Sequence, residues 1–193
     1  MSSLIRQFHD KIGFKAKGAI ETGGLCAGAI YRTASFINTG IRSGARANQT
    51  IHIEHTVPVS ELAKVICGKR NFEFPWLVWF LLKHSITTAM AKKQEMGLRL
   101  RTEALTPASD AHDRPFVRYQ DLKDEIWDVW CGKKISTAAF TFGEHFKRVT
   151  EILEDVGAMD LAETLKAHDD ILSRTLLAEL QLEMPPAPGG VSP

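Results

Sequence analysis

Apolar residues at Leu4, Ile5, Phe8, Ile12 and Phe14, with basic residues between them, predict an amphipathic helix over 3–20. Gly13 and Gly18 weaken it. A second helical pattern covers 27–37 and stops at Asn38, Thr39 and Gly40. The period then changes. In TIHIEHTV, residues 50–57, Ile51 and Ile53 alternate with His52 and Glu54, which predicts a short strand. Pro58 biases Val57 to an extended backbone and stops ladder pairing beyond it. Ser60 reads as the cap of a helix ending near Gly68.

Residues 74–84 are apolar on every side, as a buried helix would be. SITTAM, 85–90, is β-prone, and 92–100 is helical in character. TPASDAHDRP, 106–115, is a loop by composition. Phe116, Tyr119, Trp127 and Trp130 mark a further region over 116–131. Two acidic amphipathic helices follow at 141–156 and 161–182, on either side of Gly157. The tail 185–193 is too rich in Pro and Gly to pack, and reads as disordered. The expected fold is α+β and mostly helical. It has a small antiparallel core near 50–100, in a single domain over 1–184. Within that domain the core region spans about 50–120 and the acidic helical segment about 136–184.

Composition narrows the class. The chain has 193 residues, 44% hydrophobic and 24% charged, close to the globular average, which excludes collagen-like and coiled-coil chains. It is long enough to bury a core without disulfide or metal staples. Cys26, Cys67 and Cys131 are widely spaced and form no CxxC pair, as expected in a reducing compartment. No signal-peptide pattern opens the chain, and the longest apolar run, 74–82, is too short to span a bilayer. A soluble, cytoplasmic protein without a membrane partner is expected.

A net charge of +1 first argues against a polyanionic partner. Residues 1–97, however, carry 13 Lys and Arg against 6 Asp and Glu, a net of +7. Residues 98–193 carry 11 against 17, a net of −6. A basic half attracts phosphate. Arg32, Arg42, Arg46, Lys69 and Arg70 are its best candidates for a nucleic-acid surface, with an ordinary solvated face as the competing reading. The acidic helices suggest packing against that basic half, a protein partner, or a homodimer contact.

The segment most suggestive of chemistry is Ile51-His-Ile-Glu-His-Thr-Val-Pro58. A carboxylate can hold a divalent cation, and an adjacent imidazole can serve as general base for a water attacking phosphorus. Mg²⁺ prefers oxygen ligands and an incomplete protein shell, so few protein ligands suffice. Glu54 and His55 point to opposite faces of a regular strand, so one shared site needs the strand to bend or end there. The competing reading is an ordinary polar pair at a strand end. His52 shares the face of Glu54 and would support it or stay exposed.

Glu54-His55-x-x-Pro58 resembles the first motif of the HNH, or His-Me finger, endonucleases, whose core is a ββα unit around one metal ion. The resemblance implies His55 as general base and Glu54 as metal ligand. Residues 82–95, LKHSITTAMAKKQE, look like the second strand and the helix of HNH-like proteins. They offer His84 and Glu95 as further metal ligands. Asp113-Arg-Pro-Phe-Val-Arg-Tyr119 is similar to an Arg-Tyr element of some restriction-associated members, and Arg118 reads as a phosphate contact or as a structural ion pair with the acidic C-terminal half. The match covers roughly 50–120. No clear central Asn is present, and no CxxC pairs brace the core. The resemblance implies a metal-dependent endonuclease, with Mg²⁺ the first choice of cofactor and DNA ahead of RNA as substrate. The alternative is a non-enzymatic helical protein that binds nucleic acid or a protein through its basic half.

Overall fold

Three residues that the helical pattern over 27–37 takes in are in fact the middle of a sheet. Tyr31–Thr33 form β1, buried on both faces. A strand enclosed on both sides shows no alternation, which is why periodicity missed it. In the computed structural model of the chain, the described residues are 5, 28–40, 45–69, 73–95, 98 and 103–182. The amphipathic pattern over 3–20, apart from Ile5, and the tail 185–193 lie outside them.

Thr33 caps helix α1 (Ala34–Thr39), its side chain accepting from Phe36 N–H, and Gly40 ends that helix with φ 64°. Helix α2 (Ala45–Thr50) leads directly into β2 (Ile51–His55). Pro58 opens α3 (Val59–Gly68), whose buried face carries Val59, Leu62 and Ile66. Helix α4 (Phe74–His84) has Pro in its first turn and buries Trp76, Trp79 and Phe80. Then come β3 (Thr87–Ala91) and the short α5 (Lys92–Glu95).

Single 3₁₀ turns at Glu103–Leu105 and Val117–Tyr119 precede β4 (Ile126–Asp128) and β5 (Lys133–Lys134). Helix α6 (Phe142–Asp155) starts with a capping box between Thr141 and Glu144. The chain turns at Gly157, φ 84°, into α7 (Met159–Leu182).

The strands form one mixed sheet in the order β2-β3-β1-β4-β5. The expected antiparallel pair is present: β2 pairs with β3 from Ile51↔Ala91 to His55↔Thr87. It is one edge of a larger sheet, because β3 pairs in parallel with β1, and β1 in turn pairs antiparallel with β4. Helices α3 and α4 fill the connection between the two strands of the pair. Tyr31, Phe116 and Phe140 pack edge to face, with ring centroids 5.1–5.5 Å apart. His145 adds a buried polar tie. Its Nε2–H donates to the Leu82 carbonyl, at 3.0 Å, so its Nδ1 accepts from the Tyr31 hydroxyl, at 2.9 Å. Burial holds this imidazole's pKa at about 3, so it is neutral.

The two oppositely charged halves meet within the fold. Asp169 on α7 takes Lys83 Nζ at 2.6 Å and Trp79 Nε1–H at 2.7 Å. Glu179, on the same helix, takes Lys69 Nζ at 2.6 Å. No helix among the described residues is long and apolar enough to cross a membrane.

Candidate functional site

Strand β2 ends at His55, where its last ladder partner is Thr87. The next residue, Thr56, still donates its N–H to the Ile86 carbonyl, at 3.0 Å. On the other side of the pair, β3 runs without a break into α5, which packs on both strands. The order is strand, two helices, strand and a one-turn helix, and the register sets α5 at the Ile51 end of the pair, away from Glu54 and His55. Glu54 and His55 sit at the point where β2 leaves the sheet, and the His55 side chain is buried there, with Nε2 out of reach of solvent.

Glu54 is engaged on both oxygens. Its Oε1 accepts from Arg118 Nη1 at 2.6 Å, and its Oε2 lies 3.1 Å from His52 Nε2. His52 thus supports Glu54 from two residues back on the same strand face. Arg118 is itself buried, and the same Nη1 donates to the His55 carbonyl at 2.9 Å. The Val117–Tyr119 turn so fastens across the end of β2, and the Asp113–Tyr119 segment joins the Glu-His motif in space. Partial burial pushes the Glu54 carboxyl up, but the His52 hydrogen bond and the Arg118 charge outweigh it. The group titrates below its usual 4.5 and is ionised at neutral pH.

This pair makes a stability prediction. Arg118→Met leaves a carboxylate and a carbonyl without their partner, and is expected to cost about 3 kcal/mol at pH 7. A folded-state pKa below the unfolded value contributes stability that is complete above about 4.5, and that is lost as pH falls through the folded value. Urea unfolding of both proteins should show the gap at full size at pH 6–7 and narrowing below pH 4.5. A gap under about 0.5 kcal/mol, or one independent of pH, would contradict the role assigned to Arg118.

His84, expected as the second metal ligand, belongs to a different environment. Its ring stacks on Phe80 at 4.8 Å and lies against Trp79 and Phe142, and its Nδ1–H donates to the Phe80 carbonyl at 3.1 Å. Burial, then the nearby Lys83 charge, hold its pKa at about 3. The sequence could not separate these outcomes, because a histidine at the end of an apolar helix looks the same in both. Glu95 is the last residue of α5, the helix that packs on β2 and β3, but its side chain lies outside the described residues. Among the described residues no three His, Cys, Asp or Glu side chains converge as a metal cage.

The expected basic surface is also redistributed. Arg46 is exposed on α2. Lys69 is nearly buried, bonded to Glu179 and lying 4.9 Å over the Trp76 ring, so its charge is neutralised within the fold. Arg118 is committed to Glu54 and His55. Arg42 and Arg70 lie outside the described residues. Arg32 is buried in β1, its Nε donating to the Ala29 carbonyl, while Lys92 and Lys93, outside the expected set, are exposed on α5. Their place follows from the strand register, which sets α5 beside Ile51 at the far end of β2 from His55.

No family model, curated protein or solved structure matches the chain.

Proposed function

We propose that the chain is a metal-dependent endonuclease of the HNH, ββα type that hydrolyses phosphodiester bonds in nucleic acid, DNA in preference to RNA. One observation carries the reading. The Glu54-His55 motif ends a strand whose antiparallel partner runs directly into the one-turn helix α5, which lies against both strands at their other end. In this reading the imidazole of His55 takes the proton of the attacking water. Arg118 holds the Glu54 carboxylate and the His55 carbonyl, and so fixes both residues relative to the strand end. Exposed Arg46, Lys92 and Lys93 contact backbone phosphates, which makes binding strongly salt-dependent.

The donors suit one kind of metal site and not another. A closed protein cage does not fit. A cation that keeps most of its water does, because one ionised carboxylate, Glu54, is available at the strand end, and Mg²⁺ is often bound by one or two carboxylates plus phosphate. Such a cation shares Glu54 with Arg118. Bound there, it would supply positive charge to the phosphate and the leaving oxygen. A cytoplasmic location goes with this reading, supported by the free thiols of Cys67 and Cys131.

The test is nicking of supercoiled plasmid by purified protein with Mg²⁺ or Mn²⁺, with and without EDTA. Cleavage that EDTA abolishes and that Glu54→Gln reduces at least tenfold is expected. A second reading, nucleic-acid binding without hydrolysis, is favoured by the engagement of both Glu54 oxygens within the protein. No cleavage with either metal, together with equal DNA affinity with and without divalent ion, would replace the first reading by the second.

A further inference from the structure

A cavity of about 340 Å³ lies between the C-terminal end of α4, the 103–113 segment, the start of α6, and α7. Its volume is at the lower end of the range of small-molecule sites. Leu105, Phe142, Leu176 and Leu177 give it an apolar wall. Its polar side is formed by His84, His112 and Asp113, with Lys83, Ser173 and Arg174 at its edge. Gly143 contributes no side chain, which leaves that part of the wall open.

The hydrogen-bonding state of these groups decides what the cavity can recognise. Lys83 Nζ is occupied by Asp169 at 2.6 Å and by the Ser173 hydroxyl at 2.9 Å. That hydroxyl in turn donates to Asp169 at 3.3 Å, so neither group is available to a ligand without breaking an ion pair. Arg174 Nε donates to the Asp170 carbonyl. His84 gives its Nδ1–H to Phe80, which leaves Nε2 as a bare acceptor on a neutral ring. His112 Nδ1 is buried and makes no hydrogen bond. Asp113 stands at φ 62°, the left-handed region that Asp tolerates better than most residues. Its backbone carbonyl takes the Phe142 N–H at 3.2 Å, which ties the 103–113 segment to the first turn of α6.

We propose that this cavity is a binding site for a small, mostly apolar aromatic molecule that presents an N–H or O–H donor at one end. The apolar wall takes the body of the molecule. The bare acceptor, Nε2 of His84, takes the donor, with His112 beside it in the wall. The site is separate from Glu54 and His55, and its occupancy is read without any cleavage assay.

Indole and 1-methylindole test it, because they differ in volume by one methyl group while only indole carries a donor. In the full chain labelled with ¹⁵N-histidine, indole is expected to shift the ring nitrogens of His84 and His112 in a saturable way. 1-Methylindole should bind at least about tenfold more weakly, the effect of one lost hydrogen bond. His84→Phe keeps the ring in its aromatic cage and removes the acceptor, and should weaken indole by a similar factor while thermal unfolding stays close to wild type. His112→Leu is the second variant, on the loop side. No saturable shift with indole up to its solubility limit would overturn the proposal. So would equal affinity for the two indoles, or unchanged affinity in both variants. Should His84→Phe fail to fold, the pair of indoles on the wild-type chain decides.

Discussion

His55→Ala is expected to lower plasmid nicking by about a hundredfold or more while leaving the protein folded, the loss that follows removal of a positioned general base. His55 is the last residue of β2, and its hold on the neighbouring turn is through the backbone. The Arg118 guanidinium donates to the His55 carbonyl, which alanine retains. The ladder partner Thr87 is likewise met by the backbone at this position. The imidazole itself is buried, 7% exposed, so its removal also leaves a space at the strand end, and the unfolding curve separates that cost from the loss of the base. Rates under single-turnover conditions, together with a thermal unfolding curve of the variant, check this. A folded His55→Ala protein with more than a tenth of the wild-type rate would remove His55 from the base role. Hydrolysis would then need another group. Glu54 is a poor substitute, because its ion pair with Arg118 and its contact with His52 favour its charged, hydrogen-bonded form and lower its basicity.

The parts of the fold that were legible in the sequence are those in which one residue period runs undisturbed. The alternation of Ile51 and Ile53 with His52 and Glu54 gave β2, because that strand is at the sheet edge and only partly covered. The unbroken apolar run gave α4 to the residue. The two late amphipathic patterns gave α6 and α7, with Gly157 in the left-handed conformation between them. β1 was illegible because it is three residues long and buried on both faces. β4 and β5 are as short, and depend on β1 for their place. The mixed character of the sheet follows from β1 and was invisible for the same reason.

At the candidate site, local and distant information separate in the same way. The pairing of His52 with Glu54 is a consequence of strand geometry and could be read two residues apart. The Arg118 contact spans more than sixty residues, and its partner is Glu54 of the basic half and not, as the sequence suggested, a carboxylate of the acidic C-terminal half. His84 shows the limit. Its sequence neighbours are as compatible with a metal ligand as with an aromatic cage, and what decides is Phe142, brought in from α6. Lys69 and Lys83 count toward the basic half in any tally of charge. In the fold they are the contacts by which the acidic helix α7 is held. The opposite charges of the two halves therefore express, in part, an internal interface, and the phosphate-facing surface is smaller than the +7 suggests.

That interface makes a quantitative prediction. Asp169→Ala is expected to destabilise the protein by about 3 kcal/mol, because it strands Lys83, whose side chain is 9% exposed, and leaves Trp79 Nε1–H, inside the core, without an acceptor. Glu179→Ala removes an ion pair from the same helix but is expected to cost less than about 1 kcal/mol, because the Glu179 side chain is 42% exposed and water replaces it. The difference lies in the burial of the carboxylates, 24% against 42% exposed, and in the Trp79 hydrogen bond, since the lysines are 9% and 11% exposed and both stand 2.6 Å from their carboxylates. If the cost of Asp169→Ala comes from the stranded charge, replacing that charge by an apolar chain of similar length relieves it. The double variant Asp169→Ala with Lys83→Met should therefore be more stable than Asp169→Ala alone, by about 2 kcal/mol. Urea unfolding at neutral pH measures all of these. Equal losses for Asp169→Ala and Glu179→Ala would mean that α7 is held by its apolar face alone. A double variant no more stable than Asp169→Ala would locate the cost in the lost Trp79 hydrogen bond and in packing.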